Sequence, residues 1–109
     1  MATTYKVLGQ SNPSATTATG LYTVPSSTST IVSTVTICNQ AATAGSFRIA
    51  VRPGGASLAA THYVAYDVPI AANDTTALTL GITLATTDVI TVYASSSTIS
   101  FSAFGSEIS

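Results

Sequence analysis

Across residues 29–52 apolar and hydroxyl-bearing side chains alternate one by one, and no other stretch restricts the fold as much. A period of two sends successive side chains to opposite faces of a strand, whereas a helix needs apolar residues three and four apart. In the first run Ile31, Val35 and Ile37 form one row with Ser33 in its gap. Thr30, Val32, Thr34 and Thr36 form the other. One row is expected in a core and the other outside, and the row of Ile31, Val35 and Ile37 is the apolar one. Small residues at 39–45 make a turn. Phe47, Ile49 and Val51 then alternate with Ser46, Arg48, Ala50 and Arg52. Two such runs joined through a glycine-containing linker predict paired antiparallel strands.

The rest of the chain repeats the pattern. Residues 3–8 read as a strand with Tyr5 and Val7 on one face and Lys6 and Leu8 on the other. Residues 9–19 read as a loop rich in hydroxyls around Asn12-Pro13, and residues 20–24 as a strand closed by Pro25. The Pro53-Gly54-Gly55 turn ends the central pair, and residues 56–60 have room for one helical turn. His62, Val64, Tyr66 and Val68 alternate with Tyr63, Ala65 and Asp67. Leu78, Leu80, Ile82 and Leu84 share a face, with Gly81 as a candidate bulge. Residues 89–94 and 99–103 supply the last strands, and residues 104–108 a tail. About eight strands, spaced by turn chemistry roughly every ten residues, predict one all-β domain over residues 1–109. An antiparallel β-sandwich buries the apolar faces that a single open sheet would leave wet. Jelly-roll and immunoglobulin-like connections both remain open at this point.

Charge bounds the function. Only 6% of the 109 residues are charged, against about 25% in a typical soluble domain. The polar surface is therefore built from serine and threonine hydroxyls, which leave water far more cheaply than ions do. Such a surface suits lasting contact with other protein, and a net charge of −1 gives little repulsion between copies. Three cations are too few for nucleic acid, and no apolar run is long enough to span a membrane as a helix. No basic and apolar leader opens the chain, so no secretory signal is expected. The single Cys38 allows no intrachain disulfide and reads as a small buried hydrophobe.

Catalytic constellations are not apparent. His62 is the sole histidine, and its strand parity is opposite to that of Asp67, which disfavours a hydrolytic triad. Asp74 and Asp88 sit in turns, where aspartate accepts backbone amides, and Asp67 is placed to pair with Arg48 or Arg52. One Cys and one His make no metal motif, so neither a metal nor any other cofactor is expected. With no Trp, and with all five tyrosines inside strands, a carbohydrate platform is disfavoured as well.

The opening YKVLGQSNPSATT, the centre FRIAVRPGGASL with HYVAYDVPIAANDT, and the close FSAFGSEI resemble small virion structural proteins of tailed bacteriophages, from Tyr5 to Ile108. The resemblance implies a non-enzymatic all-β subunit of a phage particle, assembled in the bacterial cytoplasm and resident in the virion. The leading expectation is a capsid decoration, or cement, protein that binds the major capsid protein and stabilises the shell. A homo-oligomer is expected, a trimer being one arrangement. A tail, baseplate or fibre component is the alternative, and a carbohydrate-binding module a distant third. Contacts are expected from two mobile terminal segments, residues 2–10 and 105–109, able to add strands to a neighbour's open edge. Their candidate interface residues are Tyr5, Lys6, Val7, Glu107 and Ile108. Arg48 and Arg52 are the candidates for polar anchoring. Deletion of residues 1–8 is expected to leave the sandwich folded.

Overall fold

A computed structural model describes residues 2–109. Nine strands run in chain order: β1 (Thr3–Ser11), β2 (Thr19–Thr23), β3 (Ser29–Asn39), β4 (Gly45–Arg52), β5 (Tyr63–Ile70), β6 (Thr75–Leu78), β7 (Ile82–Leu84), β8 (Val89–Ala94) and β9 (Ile99–Ile108). Pro53–Gly55 and Ala60–His62 are single 3-10 turns. The first sheet has the order β1-β9-β3-β6, with β7 continuing the edge line along β3; the second has the order β2-β8-β4-β5. Every pairing is antiparallel.

Taken as one position, β6 and β7 reduce the chain to eight positions, ordered 1-8-3-6 in one sheet and 2-7-4-5 in the other. That order is a jelly roll: a long antiparallel ribbon whose two arms fold over each other, so that partners in one sheet are distant in sequence. The β1–β9 pair, which joins the two ends of the chain, is its outermost consequence.

The core lies between the sheets. Phe47 and Phe101 meet edge to face there, with ring centroids 6.2 Å apart, among Ile37, Ile49, Ile90, Val92 and Ile99. At roughly 25 cal/mol per Å² of apolar surface, this layer is the main source of stability.

The structure corrects several expectations. In β3 the row of Ile31, Val35 and Ile37 is not continuous: Ile31 is 42% exposed and Val32 is 1% exposed, while Val35 and Ile37 are buried. The pairing with β9 slips between Val32 and Thr34, so Ser33 is an extra residue that reverses the parity of everything before it. β1 does not end at Leu8 but runs through Ser11 across its own slip, where Leu8 is extra and turns into the core. Leu80 leaves the face it shares in sequence with Leu78 and Leu84, because Gly81 takes a positive φ of 64° and interrupts the edge strand there. β5 is irregular too. His62 precedes it in a 3-10 turn, and its pairing slips twice, at Val64 and around Asp67, whose φ is 49°. Residues 104–108 are no tail. They continue β9 between β1 and β3, in the middle of the first sheet.

Candidate functional site

Two slips in the first sheet decide which side chains reach the surface. On either side of Phe104, β1 gains Leu8 and β3 gains Ser33, and the Ser33 hydroxyl donates to the Phe104 carbonyl at 3.0 Å. Beyond this line the outward rows run across three strands. Tyr5, Ser106 and Ile31 stand opposite one another, flanked by Val7 and Phe104 on one side and by Ile108 on the other. Tyr5 is 84% exposed and Val7 48%. A shallow groove of about 470 Å³ runs between Tyr5, Ile31, Ser33, Phe104 and Ser106. This is an apolar patch on an outer sheet face, where alternation ordinarily places polar residues.

The slip in β1 turns Lys6 to the other side of the sheet, where Glu107 already lies, since β9 has no extra residue and Glu107 keeps the parity of Phe101 and Ala103. Lys6 Nζ lies 3.4 Å from Glu107 Oε1. The second carboxylate oxygen accepts the Tyr22 hydroxyl at 2.5 Å, and that hydroxyl also lies 2.8 Å from the buried Thr30 hydroxyl. Tyr22 comes from the second sheet, so these groups form a polar strut across one end of the sandwich. Burial, with help from the Glu107 carboxylate, pushes the Tyr22 hydroxyl up to about 12. The hydrogen bond from Tyr22, with Lys6 adding to it, holds the Glu107 carboxyl below the usual carboxylate range.

The two arginines are engaged within the chain. Arg48 donates from Nε and Nη2 to the two oxygens of Asp67, at 2.6 and 3.3 Å. Its guanidinium lies between the rings of Tyr66 and Tyr93, 4.2 Å from each centroid. Hydrogen bonding to Asp67 raises its already high pKa further. Arg52 donates from Nε to Thr91 Oγ1 and from Nη1 to the carbonyls of Gly55 and Ala56, clamping the loop after β4 onto the sheet. Beside the Arg48 stack, a cleft of about 650 Å³ opens between Leu58, Ala59, Ala60, Tyr63 and Tyr66.

Of the sequence-derived candidates, Tyr5, Val7 and Ile108 share one outward face. Lys6 and Glu107 form an ion pair on its reverse, and Arg48 and Arg52 belong to the second sheet. The expectation of mobile terminal segments does not hold. Ala2 and Ser109 exchange two backbone hydrogen bonds, at 2.7 and 2.9 Å, and Glu107 and Ile108 are paired on both sides. Deleting residues 1–8 would therefore strip β9 of a neighbour and remove Leu8 from the core. Sequence reasoning missed Ile31 and Phe104 as surface residues. The available signal was Ser33, a polar residue breaking the apolar row that should have run through it.

Chemistry elsewhere is accounted for by turns. Asp88 accepts the amides of Gly54 and Ala85, Asp74 that of Thr75, and His62 Nδ1 that of Ala59. Cys38 is half-buried on the outer side of β3. Among the described residues no three His, Cys, Asp or Glu side chains gather as a metal site, and no helix is long and apolar enough to cross a membrane. Comparison with models of protein families, with curated proteins and with solved structures found no match.

Proposed function

We propose that this chain is a non-enzymatic structural subunit of a phage virion, a decoration protein that seats on the major capsid shell and stabilises it. The resemblance at both ends and in the centre of the sequence motivates the reading. The observation that carries it is the outer face of the first sheet, with Tyr5, Val7 and Ile31 exposed on it, Phe104 lining its groove, and Lys6 and Glu107 paired on its reverse. With Arg48 and Arg52 engaged internally as well, all three cations have partners within the chain. Attachment would then rest on apolar and hydroxyl contacts, individually weak and multiplied by copy number.

The test is occupancy. Particles lacking the protein are incubated with the purified chain or with Ile31→Ser, a change at an exposed position that leaves the core intact. The wild-type chain should bind at a copy number matching the shell lattice, and Ile31→Ser should bind with reduced occupancy. Binding at only a few copies per particle would favour the tail or baseplate alternative. Absence of binding to any particle component would overturn the reading.

A further inference from the structure

A jelly roll leaves four edge positions, and three of them here are obstructed against pairing with another chain. β2 is five residues long and slips between Gly20 and Tyr22. β5 carries Pro69 near its end, two slips, and Asp67 in the left-handed region. The edge line of β6 and β7 is broken around Gly81. Short edges, proline and bulges are the usual devices that keep sheet edges from joining. β1 lacks them over Thr3 to Val7. It has no proline, its one slip lies beyond at Leu8, and its only charge, on the exposed Lys6, is paired with Glu107 of its own chain.

The hydrogen-bond phase of this edge follows from its partner strand. Ala2 and Ser109 exchange both of their backbone bonds, so they are a hydrogen-bonded pair. Antiparallel pairs alternate between hydrogen-bonded and non-bonded, and the register runs without a slip from Thr3↔Ile108 to Val7↔Phe104. Thr4 and Lys6 therefore bond to β9, while the N–H and C=O groups of Thr3, Tyr5 and Val7 point away from it, to the open side.

We propose that β1 pairs antiparallel with β1 of a second copy about a two-fold axis at Tyr5. In that register Tyr5 meets Tyr5 of the other copy, and Thr3 meets Val7 in both directions. Every outward-directed group between Thr3 and Val7 then finds a partner, making six hydrogen bonds. An axis at Lys6 or at Thr4 leaves some of these groups unpaired, and an axis at Lys6 also sets two ammonium groups face to face. With the axis at Tyr5 each Lys6 stands opposite Thr4, beside its own Glu107. The join makes one continuous sheet through both copies and aligns the exposed Tyr5 and Val7 side chains along its outer face. An isologous contact of this kind closes at two. It stands independently of the virion reading.

The experiment measures association of the full chain by sedimentation across concentration. The wild type should be a dimer. Tyr5→Pro should leave the fold unchanged, because the Tyr5 amide is not bonded to β9 and an edge strand tolerates proline there. Loss of the two central bonds should weaken association at least about 30-fold, about 2 kcal/mol at 1.4 kcal/mol per tenfold. Tyr5→Cys with Cys38→Ser gives a second readout that does not depend on the proline variant. Hydrogen-bonded partners sit about 5.5 Å apart at Cα, within disulfide reach, so oxidation should yield a covalent dimer. Lys6→Cys in the same Cys38→Ser background should not cross-link. A wild-type monomer or trimer, a folded Tyr5→Pro dimer of undiminished affinity, or the reverse cross-linking pattern would each overturn the proposal. None of these results would bear on whether the chain binds particles.

Discussion

Replacing Tyr22 by phenylalanine tests the polar strut directly. The ring stays in place and only the hydroxyl is lost, and with it a 2.5 Å hydrogen bond to the Glu107 carboxylate and a 2.8 Å contact with the Thr30 hydroxyl. A hydrogen bond to a charged acceptor is worth about 1.5–3 kcal/mol net, and a buried hydroxyl left without a partner costs about 1–3 kcal/mol. Thr30 is fully buried, so water does not readily replace the lost partner. Together these give a loss of about 3 kcal/mol, or roughly 15 °C in Tm for a chain of this length. Urea unfolding at neutral pH measures it. Adding Thr30→Val to Tyr22→Phe removes the stranded hydroxyl and should recover about 1 kcal/mol. The pH dependence has a definite sign. Glu107 titrates below its ordinary range in the folded chain, so its contribution is present above the unfolded carboxylate pKa and is lost as pH falls through the depressed value. Tyr22 is raised from 10.0 to about 12, so its contribution holds below 10 and is lost as pH climbs toward 12. Both slopes should flatten in Tyr22→Phe. A loss under about 0.5 kcal/mol with unchanged slopes would refute the strut.

Four further substitutions probe the slips and the loops. Ile31→Thr should change stability by less than about 0.5 kcal/mol, while Val32→Ala one residue on should cost about 2.5 kcal/mol in chemical denaturation. Equal effects would show that Ser33 does not reverse the strand. Gly105→Ala should cost more than about 3 kcal/mol in the same assay, because a Cβ there would collide with the Ile31 carbonyl and the Val32 backbone. Asp88→Ala should cost about 1–2 kcal/mol and speed hydrogen exchange at the amides of Gly54 and Ala85, which its carboxylate accepts at 2.8 and 2.9 Å.

Legibility in the sequence tracks locality. The alternation in residues 46–52 and the apolar run in residues 89–94 mark β4 and β8, because these central strands pair with each other without a slip and β8 is buried on both faces. Asp74 and Asp88 are readable as turn residues because their partners lie in or beside the same turn, although the reach of Asp88 to Gly54 is not. Strand order is another matter. Nothing in the composition of residues 3–11 and 99–108 says that the two ends of the chain lie side by side, and so the choice between jelly roll and immunoglobulin-like connections waits on the sheet order. The candidate face is only half readable. Tyr5 and Val7 share a face by simple parity, but Ile31 joins them only because Ser33 is extra. Ser33 breaks the apolar row and so marks an irregularity, but a serine there does not say that the strand bulges and reverses its faces.

The two slips also explain how the polar groups of the strut come together at one end of the sandwich. Without the slips at Ser33 and Leu8, unbroken alternation would carry Ile31 and Val7 inward, and would turn Thr30 and Lys6 to the outer face. Glu107, on a strand with no extra residue, would keep the Tyr22 hydroxyl but lose Lys6, and Tyr22 would lose Thr30. With the slips in place, the inner side of this end is closed by a hydrogen-bonded strut, and no buried polar side-chain atom among the described residues lacks a partner. The apolar side chains displaced from the interior gather outside, along the strand whose edge is open. Each slip therefore changes the polar strut and the apolar surface together: abolishing the one in β3 should take Thr30 from the strut and Ile31 from the surface, and abolishing the one in β1 should take Lys6 and Val7.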